Sequence, residues 1–218
     1  MDIKGVIFDL DGLLIDSEKL YRKVSYVLAE RLGKELTEEI RAKQIGRSPL
    51  AANQVFRREL GITSHTAEEL MDLRNGMMLD EFRNHVEMMP GGMEILRALH
   101  GRVKLAIATG SPMQLTDVVL ERLNIRKYFD HIQTSDTVLH GKPDPEIYLT
   151  TLKVLGLQPA ECVVLEDSPL GAEAGVRAGC RVIAVPEAGV HTFPGVEEVV
   201  GSLEEARGIL GKWLAGAR

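Results

Sequence analysis

Cysteine is scarce. Cys162 and Cys180 are the only two in 218 residues. They form no metal-binding spacing and cannot build a disulfide framework. Both are expected to be small buried hydrophobes in a reducing compartment. Aromatic residues are also few, 5% of the chain, and the single tryptophan, Trp213, reads as an anchor of a C-terminal helix rather than a ligand platform. Basic charge is in deficit, with 26 Lys and Arg against 32 Asp and Glu and a net charge of -6. Such a chain is a poor partner for nucleic acid or an anionic membrane, which need basic stripes. A small phosphorylated molecule stays open, because local cations matter more than the total. Long apolar runs are missing, so no segment is expected to span a bilayer. The N-terminal "MDIKGVIFDLDG" has no basic leader and ends its short apolar run in aspartates, unlike a signal peptide. The expected compartment is the cytoplasm.

What remains is an ordinary globular composition, 44% apolar and 27% charged. The length suits one large domain or a core with a smaller insert. Four runs, "IKGVIFD" from Ile3, "VKLAIAT" from Val103, "CVVLE" from Cys162 and "RVIAV" from Arg181, are almost continuously apolar. That pattern suits strands buried on both faces. Helical patterns separate the later ones: "GGMEILRALHG", "PMQLTDVVLERLN", "PEIYLTTLKVLG" and "PLGAEAGVRAG". Strands alternating with such helices predict an α/β fold, a doubly wound parallel sheet. Between the first two strands the period is helical throughout. In "SEKLYRKVSYVLAERLG" a stripe of Leu20, Val24, Val27, Leu28 and Leu32 marks one face. The predicted organisation is an α/β core from residues 1–17 and 88–218, with a helical cap from 18–87 spliced in after the first strand.

Polar residues then collect where the strands should end. The first run stops at Asp9 and Asp11, followed by Gly12, which permits a tight turn. Alone, this pattern is as readily a polar turn or part of a calcium loop. The second run leads into Thr109, Gly110, Ser111 and Pro112, which read as a capped helix start with free N–H groups suited to an anion. The third leads into Glu166, Asp167 and Ser168, more acid than a helix cap needs. Carboxylates gathered at neighbouring strand ends repel unless a cation lies between them. Magnesium suits such a group, because it takes carboxylates, water and substrate phosphate together. Lys142, stiffened by Pro143, is a ready counter-ion for a carboxylate and a phosphoryl group.

In this order, Asp9-x-Asp11-Gly12, Thr109-Gly110-Ser111, Lys142-Pro143 and Glu166-Asp167-Ser168 resemble the four motifs of the haloacid dehalogenase-like phosphohydrolases. The resemblance covers the whole chain. "LEDSPLGAEAGVRAG" and "HGKPDPEIY" resemble the branch with a helical cap, which includes sugar-phosphate and pseudouridine-5'-phosphate phosphatases and β-phosphoglucomutase. It implies that Asp9 attacks phosphorus and that Asp11 is the proton donor and acceptor. Thr109, Gly110, Ser111 and Lys142 would hold the phosphoryl oxygens. Magnesium would sit on Asp9, the Asp11 carbonyl and Asp167, with Glu166 as a ligand or a support behind it. In the cap, the loop of Gly46, Arg47 and Ser48 lies between two predicted helices, and Arg47 reads equally as a contact to a substrate hydroxyl or second phosphate and as a surface arginine near a turn. The expected enzyme is a magnesium-dependent phosphatase of a small phosphorylated metabolite, a sugar or nucleoside monophosphate; a monomer is favoured and the oligomeric state stays open.

The main alternative is a phosphosugar mutase. Members with that activity carry a cap histidine where Tyr21 stands and a lysine where Pro112 stands, which favours hydrolysis here. A dehalogenase would need neither Asp11 nor an acidic cluster, and a phosphonatase would need an activated cap lysine, for which Lys43 is the nearest candidate. A non-catalytic sensor of phosphorylated ligands could dispense with Asp9, Asp11 or Lys142, and all three are present. Met77, Met78, Met88 and Met89 read as cap core and hinge packing. None of the six histidines has a metal-binding spacing.

Overall fold

The computed structural model describes residues 2–44, 47–186 and 192–216. Six strands form one parallel sheet: β1 (Gly5–Phe8), β2 (Lys104–Ala108), β3 (His131–Gln133), β4 (Cys162–Glu166), β5 (Arg181–Ala184) and β6 (Glu198–Val199). Their order is β3-β2-β1-β4-β5-β6. The chain winds outward from β1 to β3 on one side, then returns to start β4 beside β1. This reversal creates the crevice in which open α/β sheets bind ligands. The register aligns the strand ends, since Phe8 lies opposite both Ile107 and Leu165. Asp9, Thr109 and Glu166 therefore emerge at one edge.

Alternation along the central strands builds the two faces. Val6, Phe8, Leu105, Ile107, Val163, Leu165 and Ile183 join one core cluster, packed by α5 (Gly92–Leu99), α6 (Met113–Arg122) and α9 (Leu203–Ala215). Ile7, Ala106, Ala108, Val164 and Val182 join the other, packed by α7 (Glu146–Leu155) and α8 (Pro169–Arg177). Cys162 and Cys180 are unpaired members of that second cluster. Trp213 packs on the first, with the Arg181 guanidinium 3.6 Å above its ring.

Between β1 and α5 run α1 (Glu18–Arg31), α2 (Glu38–Ala42), α3 (Pro49–Glu59) and α4 (Ala67–His85). Leu28, Phe56, Leu60, Ile62 and Leu70 give this segment a small core of its own. Leu20 and Val24 of α1, with Met78 and Phe82 of α4, belong instead to the main core. Val27 and Leu32 of the predicted stripe are only partly buried. The two connecting stretches pair with each other. Asp16 donates its N–H to Glu87 O at 3.0 Å, Met89 donates to Leu14 O at 2.8 Å, and Lys19 Nζ reaches Asp16 at 2.8 Å and Glu87 at 2.9 Å. From α6, the Arg122 guanidinium donates to the carbonyls of Arg83 and Asn84, both at 2.9 Å, and of Val86 at 3.4 Å. A cation there also suits the negative end of the α4 dipole.

Among the described strands and α-helices, three are absent from the sequence pattern. β3 and β6 are the two edges of the sheet, and edge strands are short and polar, which hides their period. α2 is five residues long and buries no side chain. Among the described residues, no helix is long and apolar enough to cross a membrane.

Candidate active site

Asp9 leaves β1 in register, its N–H donating to Leu165 O at 3.0 Å. Its carboxylate is buried, and Lys142 Nζ donates to Oδ1 at 2.5 Å. The same ammonium donates to Glu166 Oε1 at 2.5 Å and to Ala108 O at 3.0 Å. Lys142 thus ties together the ends of three strands. The loop that carries it is held by Glu146, whose carboxylate accepts the N–H groups of Leu139 and His140, each at 2.9 Å. This draws His140 and Asp144 into one cluster with Glu146, a proximity that no metal-binding spacing in the sequence signals.

Glu166 is completely buried with both oxygens occupied. Oε1 accepts from Tyr148 Oη at 2.6 Å besides Lys142, and Oε2 accepts from Ser168 Oγ at 3.0 Å. Its room depends on Gly171 of α8. A Cβ there would lie 1.8 Å from Glu166 Oε1 and 2.0 Å from Cδ. Gly171→Ala is therefore expected to push Glu166 off Lys142 and to cost about 3 kcal/mol, the upper part of the range for overpacking. A urea titration checks this; an unchanged midpoint contradicts the close packing.

Asp11 is held by the loop after β2. Its Oδ2 accepts from Ser111 Oγ at 2.6 Å and Thr109 Oγ1 at 3.3 Å, while its Oδ1 is buried without a partner. Ser111 is not the helix cap. α6 begins one residue later than the Ser-Pro signal predicts, with Pro112 at the cap position and the Met113 N–H donated to Asp136 at 2.5 Å. The Ser111 hydroxyl is spent on Asp11 instead, and its N–H donates to Thr109 Oγ1 at 3.0 Å. Gly110 is exposed between these two buried neighbours. Gly12 takes a φ of +80°, and a Cβ there would lie 2.4 Å from Asp167 Oδ2, so the turn brings Asp167 against the β1 loop.

Asp9, Glu166 and Asp167 each place a carboxylate oxygen within 4.8 Å of the others. Burial pushes the Asp9 carboxyl up to about 8 while Lys142 opposes; Glu166 and Asp11 add to the rise. Burial, with Asp9 and Glu166 beside it, holds Asp167 well above the usual carboxylate range. Asp11 is also raised, by burial against the pull of its hydroxyl donors. Burial disfavours the Lys142 ammonium, but Asp9 and Glu166 outweigh it and hold the group well above its ordinary value. Among the described residues one cation faces three carboxylates, so the cluster is short of positive charge. A hard divalent cation fits that deficit and donor set.

Two aromatic residues bear on the site. Tyr148 reads in sequence only as an apolar position of α7, and its ring lies 5.3 Å from Lys142 Nζ. Tyr21 of α1 places Oη 3.4 Å from Ser111 Oγ and packs edge-on to Phe82. Arg47 is not brought to the cluster: it is exposed, and its Nε donates to Lys43 O at 2.7 Å. Gly46 lies outside the described residues.

The chain is similar to known proteins in sequence and in fold. The family model described as haloacid dehalogenase-like hydrolase matches residues 6–185. A phosphorylated carbohydrates phosphatase of Thermotoga maritima is 34% identical, covering 93% of this chain and 99% of its own. The fructose-1-phosphate phosphatase YqaB of Escherichia coli is 32% identical, covering 83% of this chain and 95% of its own. A crystal structure of a putative beta-phosphoglucomutase from Thermotoga maritima superposes with a TM-score of 0.79 at 32% identity, over 96% of this chain and 99% of that one. Because the matched region runs from β1 through β5, with every strand end just described, this chain belongs to the haloacid dehalogenase-like hydrolase family.

Proposed function

We propose that the chain is a magnesium-dependent phosphatase of a small phosphorylated metabolite, a sugar or nucleoside monophosphate, acting through a phosphorylated Asp9. One juxtaposition carries this reading: Asp9 backed by Lys142, with Asp11 alongside and its Oδ1 unpartnered. Asp9 attacks phosphorus, and the bond from phosphorus to the leaving oxygen breaks as Asp11 gives that oxygen a proton. Asp11 then takes a proton from water as the water attacks phosphorus and the Asp9 carboxylate is released. Thr109, Gly110, Ser111 and Lys142 stabilise the phosphoryl oxygens in both steps. Thr109 and Ser111 hold the Asp11 carboxyl as well, so one loop orients both the acid and the phosphoryl group.

Asp9 and Asp167 are the ligands assigned to magnesium, with the Asp11 carbonyl. Glu166, its oxygens already taken, is assigned to holding Lys142. When bound, the metal supplies positive charge that lets an anionic nucleophile meet an anionic phosphate. Residues 18–87 form the cap that excludes water.

Phosphate release from a panel of sugar phosphates and nucleoside monophosphates, with and without magnesium, tests the reading. A β-glucose-1-phosphate arm with separate detection of glucose-6-phosphate tests the mutase alternative. Metal-dependent release is expected; isomer formation without release overturns the hydrolase reading.

A second test needs no substrate. Magnesium at a hundredfold excess over its Kd should stabilise the protein by about 2.7 kcal/mol. Asp167→Asn should abolish that gain. Its folded pKa lies above its unfolded value, so ionised Asp167 lowers stability as pH rises from the unfolded pKa towards the folded one. The metal-free variant should therefore unfold at or above the wild-type temperature at neutral pH. Calorimetry showing an undiminished magnesium shift in the variant removes Asp167 from the metal site.

A further inference from the structure

α1 and α4 lie side by side and antiparallel. At one end Lys23 pairs with Glu81 at 2.7 Å and Tyr21 packs on Phe82; at the other stand Arg31, in the last turn of α1, and Glu69, in the first turn of α4. Between the two helices, on the outer surface, runs a groove of about 860 Å³. Its floor is apolar, built from Val24, Val27, Leu73 and Met77. Leu73 is 43% exposed, and a Cβ on Gly76 would meet nothing within 4 Å. The middle of α4 is therefore open to close approach by another helix. Apolar surface rimmed by charge is the pattern of a contact between proteins.

The two walls carry opposite charge. α1 contributes Lys23 and Arg31, and α4 contributes Glu69, Asp72, Asp80 and Glu81. Part of this charge is satisfied within the chain: Lys23 by Glu81, Glu69 by the Thr66 N–H and Asp80 by Arg83. Arg31 and Asp72 are exposed, and neither has an ion-pair partner among the described residues. Glu81 also keeps Oε2 buried without a hydrogen-bond partner. Because both helices rise equally per residue, Lys23 opposite Glu81 puts Val27 level with Met77 and Arg31 level with Leu73, next to Asp72.

These levels select one way for two copies to meet. Two grooves in contact are related by a two-fold axis lying in the plane between them. An axis across the groove would lay α1 on α1 and α4 on α4, like charge on like. An axis along the groove lays α1 of each copy on α4 of the other at the same level. Arg31 of one copy then meets Asp72 of the other, Lys23 meets the Asp80 and Glu81 end, and Val27 meets Met77, each contact occurring twice. The four helices form a bundle around the apolar floors. A foreign partner would have to reproduce both walls; a second copy carries them by necessity.

We propose that the groove between α1 and α4 is the interface of a homodimer, with a second copy of this chain docked groove to groove about a two-fold axis along it. This takes the place of the monomer favoured from sequence alone and does not depend on the phosphatase reading. The crevice stays open in such a dimer. Successive residues of α1 turn by about 100°, so Tyr21, which contacts Ser111, lies about half a turn from the Lys23 side.

Sedimentation equilibrium across the micromolar range tests this. Wild-type protein is expected to reach the mass of two chains at the upper end of that range and to dissociate as salt is raised, because rim ion pairs are screened. Arg31→Asp and Asp72→Arg should each weaken association about tenfold or more, since the two-fold repeats every lost pair. Each single variant carries one sign at both positions, so it repels its own copy and matches the other variant. An equimolar mixture of the two should therefore form a mixed dimer, and both substitutions in one chain should recover the homodimer. A charge pair made within one chain would not produce the mixed dimer. Gly76→Gln leaves the charge alone: its side chain enters open space on the single chain, so the circular dichroism spectrum should be unchanged while the dimer is lost. If a charge variant does not fold, Gly76→Gln carries the test. A wild-type protein that stays monomeric throughout the range overturns the proposal and leaves the groove to a different partner. A dimer untouched by all three substitutions, or folded single variants that form no mixed dimer, overturns it as well.

Discussion

Asp9→Asn is expected to lower phosphate release by roughly 10⁴- to 10⁶-fold, the scale of removing a nucleophile whose partners act with it as a unit. An amide has nearly the same shape but cannot form the acyl phosphate, so the loss should appear in kcat. The fold should persist. The substituted amide keeps an oxygen that can accept from Lys142, and the change removes one charge from a cluster short of cations. Circular dichroism and the unfolding temperature should stay near wild type. A variant within tenfold of the wild-type rate would remove Asp9 from the nucleophile role.

Lys142→Met should damage stability as well as rate. Among the described residues, Lys142 is the one cation bonded to both Asp9 and Glu166, and its side chain is 12% exposed. Its loss leaves those carboxylates facing each other in a buried crevice, a change expected to cost about 3–5 kcal/mol. Rate should fall about 10²- to 10³-fold through loss of a transition-state donor. The stability deficit should depend on pH. In the wild type Asp9 has a folded pKa of about 8, above its unfolded value, so its ionisation opposes folding increasingly as pH rises towards about 8. Without the lysine the folded value moves higher still, so the opposition continues to grow above about 8 in the variant after it has levelled off in the wild type. Chemical denaturation of metal-free protein should show a larger deficit above about pH 8 than in mild acid. Adding Glu166→Gln should recover part of the stability and none of the rate, because it removes a stranded charge but restores no donor. A deficit of constant size across pH contradicts the assigned electrostatics.

Much of the site can be read from the chain, because its chemistry stands at strand ends. Asp9, Thr109 and Glu166 each follow an apolar run, and a parallel sheet in register must bring those ends together. The central strands and the larger helices are legible for the same reason: their burial leaves a strong period. Other features lie in tertiary distance alone. Tyr148 looks like any apolar helix residue until its hydroxyl meets Glu166 across the fold. Arg74 looks like an ordinary charge on an amphipathic helix, and only packing shows it to be buried and unpartnered. Arg47 runs the other way, a loop arginine that the sequence offers as a candidate substrate contact and that the structure leaves exposed, its Nε donated to Lys43 O. Ser111 marks a third limit. A Ser-Pro pair satisfies the rules for a helix start, yet the stronger acceptor, Asp11, takes the hydroxyl.

The central claim is that Asp9 itself carries the phosphoryl group. The direct measurement is a rapid acid quench during turnover of p-nitrophenyl phosphate labelled in its phosphoryl group, followed by peptide mapping. The account predicts label on the peptide containing Asp9, released by hydroxylamine as expected of an acyl phosphate, and absent in Asp9→Asn. Undiminished phosphate release with no label on the protein, or label on another residue, would contradict it.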